Sequence, residues 1–227
     1  MDKERQKQLL KIIVDEYIKA AEPVASGFLV HKLMEKVSSA TVRNDMVTLE
    51  DDGYIEQPHT SAGRVPTEKA YRYYLDHFLA TQDLVKSYKD KIDQINQAKN
   101  DVRFRLKELA KYLAEVSGQA IMVAFAGNDV YYTGISNLFS QPEFSQKEVV
   151  VDMSRIIDHL DGVAVSLFDA VAEMTVELGD SCPFGSRCAS IINKITIEDH
   201  DYLVAMIGPM RMDYQKNINL INYLGNL

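Results

Sequence analysis

Two cysteines in 227 residues, no uninterrupted apolar stretch long enough to cross a bilayer, and no surplus of positive charge set the first limits on this chain. Cys182 and Cys188 lie in one short stretch, which argues against a disulfide framework and fits a reducing compartment. Their five-residue gap is not a common structural-zinc half-site, and no cysteine or histidine cluster completes it. They therefore read as loop thiols rather than a redox or metal switch. Also missing are a glycine-rich phosphate loop, a Gly-x-Ser-x-Gly elbow, a His-Glu-x-x-His pair and any cofactor fingerprint, so neither an enzyme nor a cofactor is expected. With no membrane run and a charged MDKERQKQLL start in place of a signal peptide, the expectation is a cytoplasmic protein with no membrane partner.

What is present is a chain of net charge −8 with 46% hydrophobic residues, enough to bury a core in one or two domains. Leu9, Leu10, Ile13, Val14 and Ile18 recur at helical spacing over residues 3–20, and Glu22-Pro23 ends that helix. Ser26 can cap a second helix with apolar positions Phe28, Leu29, Leu33 and Met34, and Glu35-Lys36-Val37 makes the turn, which is helix-turn-helix spacing. A third helix starts at Ser38 or Ser39, with Val42, Met46 and Leu49 on its core side. Its opposite side presents Ala40, Thr41, Asn44, Val47 and Thr48, with Arg43 on the flank. Arginine can grip guanine or a phosphate, asparagine can pair with adenine, and threonine can offer its methyl to thymine. Asp51-Asp52-Gly53 closes the helix.

Tyr54-Ile55-Glu56-Gln57 then reads as a strand, residues 58–63 as a loop and Arg64-Val65-Pro66 as the return, a β-hairpin wing followed by a fourth helix from Thr67. Residues 1–79 thus form a winged helix-turn-helix domain. Its candidate DNA contacts are Ser38 and Ser39 at the helix start, Thr41, Arg43, Asn44 and Thr48 on the outer face, and His59, Thr60, Ser61 and Arg64 in the loop. These 79 residues carry 11 Lys and Arg against 13 Asp and Glu, so DNA contact must come from local arrangement. The same balance leaves room for a winged-helix module that binds protein. His31 and His77 fall inside helices without a companion at metal-ligand spacing, and most of Tyr71-Arg72-Tyr73-Tyr74 reads as an internal seam.

Over residues 80–117, Val85, Tyr88, Ile92, Ile95, Lys99, Val102, Leu106, Leu109, Leu113 and Val116 follow an unbroken heptad alternation, predicting one long amphipathic connecting helix. Such a stripe packs either on the chain's own C-terminal part or on a second copy, making a dimer seam. Beyond Gly118, strands are expected at 119–125 and 130–133 around a Gly127-Asn128-Asp129 turn, then at 174–178, 188–196 and 202–207. Helices are expected over 147–161, from Val163 to Val171, and from about Asp213. Antiparallel sheet flanked by helices is an α+β layer. Ile207-Gly208-Pro209-Met210-Arg211-Met212-Asp213-Tyr214 reads as a strand end, a turn and an Asp cap, with Arg211 tied to a nearby carboxylate.

EPVASGFLVHKL followed by SSATVRNDMVTLEDDGYIEQPHTSAGRVPTEKAYRYYLD closely resembles the N-terminal domain of the heat-inducible transcription repressor HrcA family. Gly134-Ile135-Ser136-Asn137-Leu138, Gln141-Pro142-Glu143-Phe144 and the 207–214 element agree in order. The resemblance implies a repressor of heat-shock (chaperone) operons that binds an inverted-repeat operator in double-stranded DNA as a homodimer, with a GroE-type chaperonin as modulating partner. It also implies that residues 118–227 are a GAF-like sensor or oligomerisation domain, for which a small-ligand-gated regulator is the alternative reading. Family members commonly carry an inserted domain associated with dimerisation, whereas this chain passes directly from Phe125 to the Tyr131 strand. That puts weight on the 85–116 seam for a homodimer.

Overall fold

Leu9, Leu10, Ile13 and Val14 are buried to completion along one side of α1 (Glu4–Ala20), as their spacing predicts. The structure is a computed structural model describing residues 4–33, 37–80, 82–126 and 129–227. It divides into two units, 1–80 and 81–227. Lys3, Met34, Glu35, Lys36, Gly127 and Asn128, all named above, lie outside the described residues.

In the first unit, Ala21 at a φ of 55° ends α1 just ahead of Glu22-Pro23. α2 (Ser26–Lys32) buries Leu29, while Phe28, expected in its core, is 40% exposed with Lys32 over its ring. Ser26 is not the cap of α2: Ala25 holds that position without a side-chain bond. Backbone pairing of Val24 with Arg64 sets the chain direction there instead. α3 (Ser39–Asp51) leads through Gly53, at a φ of 75°, into a hairpin of β1 (Ile55–Glu56) and β2 (Val65–Pro66). Thr67 caps α4 (Glu68–His77). Tyr71 and Tyr74 are buried, and the Tyr74 hydroxyl donates to Asp15 at 2.7 Å.

The second unit is α+β. Its sheet of five antiparallel strands has the order β4-β3-β7-β6-β5, from β3 (Ala120–Ala126), β4 (Asp129–Thr133), β5 (Thr175–Leu178), β6 (Cys188–Ile197) and β7 (His200–Pro209). β6 and β7 are joined by Glu198 and Asp199, both at positive φ, the backbone a two-residue hairpin needs. One sheet face packs Met122, Ile192, Leu203 and Ala205 against α7 (Ile135–Phe139), α8 (Lys147–Ile157) and α9 (Leu160–Ala170). The alternate residues, among them Ile121, Val123, Ile191, Val204 and Met206, are equally buried on the face where α6 (Val102–Ser117) and α10 (Tyr214–Leu224) lie. The expected helix over 147–161 is interrupted at residues 158–159, and Gly162 sits inside α9 rather than ahead of it.

The long connecting helix is not continuous. α5 (Lys86–Asn96) stops at Gln97, and α6 begins after Asp101, whose side chain accepts from the Phe104 amide at 2.8 Å. An Asn-Asp pair satisfies local backbone groups in turns and caps better than inside a helix, so the chain breaks there despite the unbroken apolar register. Nor is 80–117 a separate connector, because both helices belong to the second unit. Of the seam positions, Ile92, Leu106, Leu109 and Leu113 are buried inside that unit. Tyr88, Ile95, Val102 and Val116 are half-buried and Val85 is exposed.

Three of the sequence motifs have structural work. Gly134 takes a φ of 74° where a Cβ would lie 2.5 Å from the Gln119 carbonyl oxygen. The Asn137 amide donates to the carbonyls of Ala114 and Gln119 at 2.9 and 3.2 Å. Arg211 pairs with Glu143 and donates to Gln141 at 2.7 Å, fastening the 207–214 turn to the 141–144 segment. Cys182 does lie in a loop, whereas Cys188 opens β6, and both are core groups, 6% and 0% exposed. Burial pushes both thiols up, away from the reactive thiolate. Among the described residues no helix is long and apolar enough to cross a membrane.

Candidate nucleic-acid interface

The start of α3 is held by its own hydroxyls. Ser38 caps the helix by accepting from the Thr41 amide at 3.1 Å, and the two hydroxyls lie 2.9 Å apart. Ser38, Ser39 and Ala40 are exposed and Thr41 is half-buried. Along the next two turns Val42, Met46 and Leu49 are 0%, 6% and 0% exposed, so the rest of the helix has one defined outward face. On it stand Arg43, Asn44, Val47 and Thr48, all exposed. The Thr48 hydroxyl donates back to the Asn44 carbonyl at 3.1 Å, which turns the threonine in a fixed direction. The side chains of Arg43 and Asn44 have no hydrogen-bond partner among the described residues.

Carboxylates near this face are engaged elsewhere. Asp45, only 5% exposed, accepts from Arg5 of α1 at 2.6 and 3.2 Å and lies 3.5 Å from the Gln6 amide. Its burial escapes sequence reasoning, which assigns an acid in a polar helix to the surface. Glu50 meets Arg64 at 2.8 and 3.0 Å. Arg64, expected as a cation of the loop, is therefore committed to α3, with its side chain 19% exposed. It fixes the hairpin against the helix, whereas Arg43, which lines the cleft beside the loop, has no ion pair among the described residues.

The loop between β1 and β2 is bound from both sides. The Gln57 amide donates to the carbonyls of Thr60 and Ala62 at 3.1 and 2.9 Å. Val24 and Arg64 exchange backbone hydrogen bonds at 2.9 and 3.0 Å. This contact requires Gly63, because a Cβ there would lie 2.4 Å from the Val24 carbonyl oxygen. The tip residues His59, Thr60 and Ser61 remain exposed. A cleft of about 360 Å³ lies between loop and helix, lined by Ser26, Arg43, Met46, Val47, Ser61 and Arg64 among others. Arg43, Ser61 and Arg64 thus share one cleft, which Asn44, Thr48, His59 and Thr60 do not line.

The family model for the HrcA protein C terminal domain matches residues 37–218. Proteins named heat-inducible transcription repressor HrcA are similar over part of the chain. The one from Bifidobacterium animalis subsp. lactis is 40% identical over 124 residues, 55% of this chain and 34% of that protein. The one from Acetivibrio thermocellus is 42% identical over 117 residues, 48% of this chain and 33% of that protein. The matched stretch spans about a third of the length of these relatives. A hypothetical protein of known crystal structure has the same fold, with a TM-score of 0.75 at 18% identity over 99% of this chain and 96% of that one. With four-fifths of its length matched by the family model, the chain belongs to the HrcA family.

Proposed function

We propose that this protein is a sequence-specific DNA-binding transcription repressor of heat-shock genes, the activity in the printed name of its relatives. In this reading α1 to α4 and the hairpin are a winged helix-turn-helix, with α3 lying in the major groove and the 58–63 loop beside the phosphates. The observation that carries it is the outer face of α3: Arg43, Asn44, Val47 and Thr48 exposed together, with the adjacent Asp45 and Glu50 neutralised by Arg5 and Arg64. From Ala40 to Thr48 that face runs about 12 Å along the helix axis, or about three to four base pairs. Ser38, Ser39, Thr60, Ser61 and His59 stand at its margins, where they set affinity through the backbone while Thr41, Arg43, Asn44 and Thr48 set sequence preference. Arg64 contributes by holding the loop in place.

An inverted repeat is read by two copies, so the acting species is a homodimer. The second unit, in this reading a GAF-like domain, holds the copies together and receives the signal of a GroE-type chaperonin. Arg43→Ala tests the base-reading role. Specific binding should weaken by about 1–3 kcal/mol while binding to random DNA changes little. Equal losses on both would demote Arg43 to a phosphate contact.

A further inference from the structure

We infer that a cleft at the C-terminal end of α9, in the second unit, binds an organic cation: an amine or ammonium group carried on an apolar body. The cleft has a volume of about 360 Å³, within the range of about 300–1,000 Å³ typical of small-molecule sites. It is distinct from the DNA-facing surface, and the inference rests on no part of the DNA reading.

The chemistry of its walls is one-sided. The accessible apolar part comes from Leu167 of the last α9 turn and from Pro183, both half-buried, over Val171 just past the helix end and Ile192 in the sheet, which are 6% and 0% exposed. The polar part comes from Glu173, Thr175, Glu177 and Ser181. Thr175 pairs across the sheet with Ile192 and Glu177 with Ser190, so Thr175 and Glu177 point to the same sheet face as the Ile192 floor, at the free edge of β5. The Thr175 hydroxyl donates to Glu177 at 3.0 Å and orients that carboxylate. Glu173 is exposed and has no partner among the described residues. The closing turn of α9 adds the negative end of its dipole to the same place.

Nothing in the lining opposes that charge. No lysine, arginine or histidine is among the ten lining residues. Lys194, two residues beyond Ile192 on the same face of β6, sits over the Phe168 ring at 5.2 Å and lies outside the lining. Two carboxylates and a helix C-terminus beside the half-buried Leu167 and Pro183 repel a carboxylate or phosphate ligand and attract a positive head group whose body packs on Leu167 and Pro183.

Titration calorimetry on the full chain tests this with phenethylamine, 2-phenylethanol and phenylacetate, which share one apolar body and differ in head group. The amine should bind about tenfold or more tightly than the alcohol, and the acid least of all. Glu173→Gln with Glu177→Gln should remove the amine's advantage and leave the alcohol unchanged. Glu173→Lys alone, at an exposed position, should shift the preference toward phenylacetate and provides the test if the double variant folds poorly. Equal affinity for the three probes, absence of amine binding at millimolar concentration, or amine binding untouched by these substitutions would overturn the inference.

Discussion

Asp45 is the residue whose replacement tests how α3 is held. Its side chain is 6% exposed, and it faces an Arg5 guanidinium that is 27% exposed. Breaking a fully buried pair costs about 3–5 kcal/mol because the survivor is left charged and dry. The two survivors here differ. Arg5→Ala leaves the carboxylate buried beside a Gln6 amide at 3.5 Å, so the loss should reach about 3–4 kcal/mol. Asp45→Ala leaves an arginine that can recover water, so the loss should be about 2–3 kcal/mol. Asp45→Asn keeps an acceptor for Arg5 and should fall lower, at about 1–2 kcal/mol. The double variant should cost little more than Arg5→Ala, giving a coupling of about 2 kcal/mol. Urea unfolding of the full chain measures the losses, and hydrogen exchange at α1 and α3 amides assigns them to this unit. Losses below about 0.5 kcal/mol for every variant, the value of a surface pair, would refute the claim that this contact positions α3.

Three further outcomes follow from single sites. Gly63→Ala places a methyl 2.4 Å from the Val24 carbonyl oxygen, so it should cost about 1–3 kcal/mol and loosen the loop; an unchanged thermal midpoint with unchanged DNA affinity would contradict the close approach. Asn217 is fully buried, and both its amide atoms lack a partner among the described residues, so Asn217→Leu should raise stability by about 1–2 kcal/mol in a thermal melt; a loss of that size would show the amide to be satisfied. Cys182 and Cys188 are held as neutral thiols by burial, so iodoacetamide at pH 8 should label them only as fast as the unit unfolds; rapid labelling of the native chain would contradict their placement.

Helical phase separated the two sides of α3 correctly because Val42, Met46 and Leu49 are apolar and regularly spaced, and burial follows that pattern directly. The same reasoning is blind to Asp45 and Arg64, whose partners lie 40 and 14 residues away and are chosen by tertiary packing rather than by local pattern. The 85–116 stripe shows a related limit. Periodicity announces that a face will be covered, and Ile92, Leu106, Leu109 and Leu113 are covered, but by their own unit. The break between α5 and α6 has a local signal in Asn100-Asp101, which the continuous apolar register masks. In the sheet the strands were legible as apolar runs, whereas the Glu198-Asp199 turn lacks the glycine that marks most two-residue hairpins. Gly134 and Asn137 were visible as a motif, but only the fold shows that they clamp Ala114 and Gln119.

Whether the outer face of α3 reads DNA is measured by fluorescence anisotropy with a labelled inverted repeat from upstream of the organism's own chaperonin operon. DNA reading by this face gives saturable binding, preference over a scrambled duplex by at least about a thousandfold, and an affinity that falls steeply with salt as counterions are released. Equal affinity for the two duplexes, or binding indifferent to salt, would contradict it.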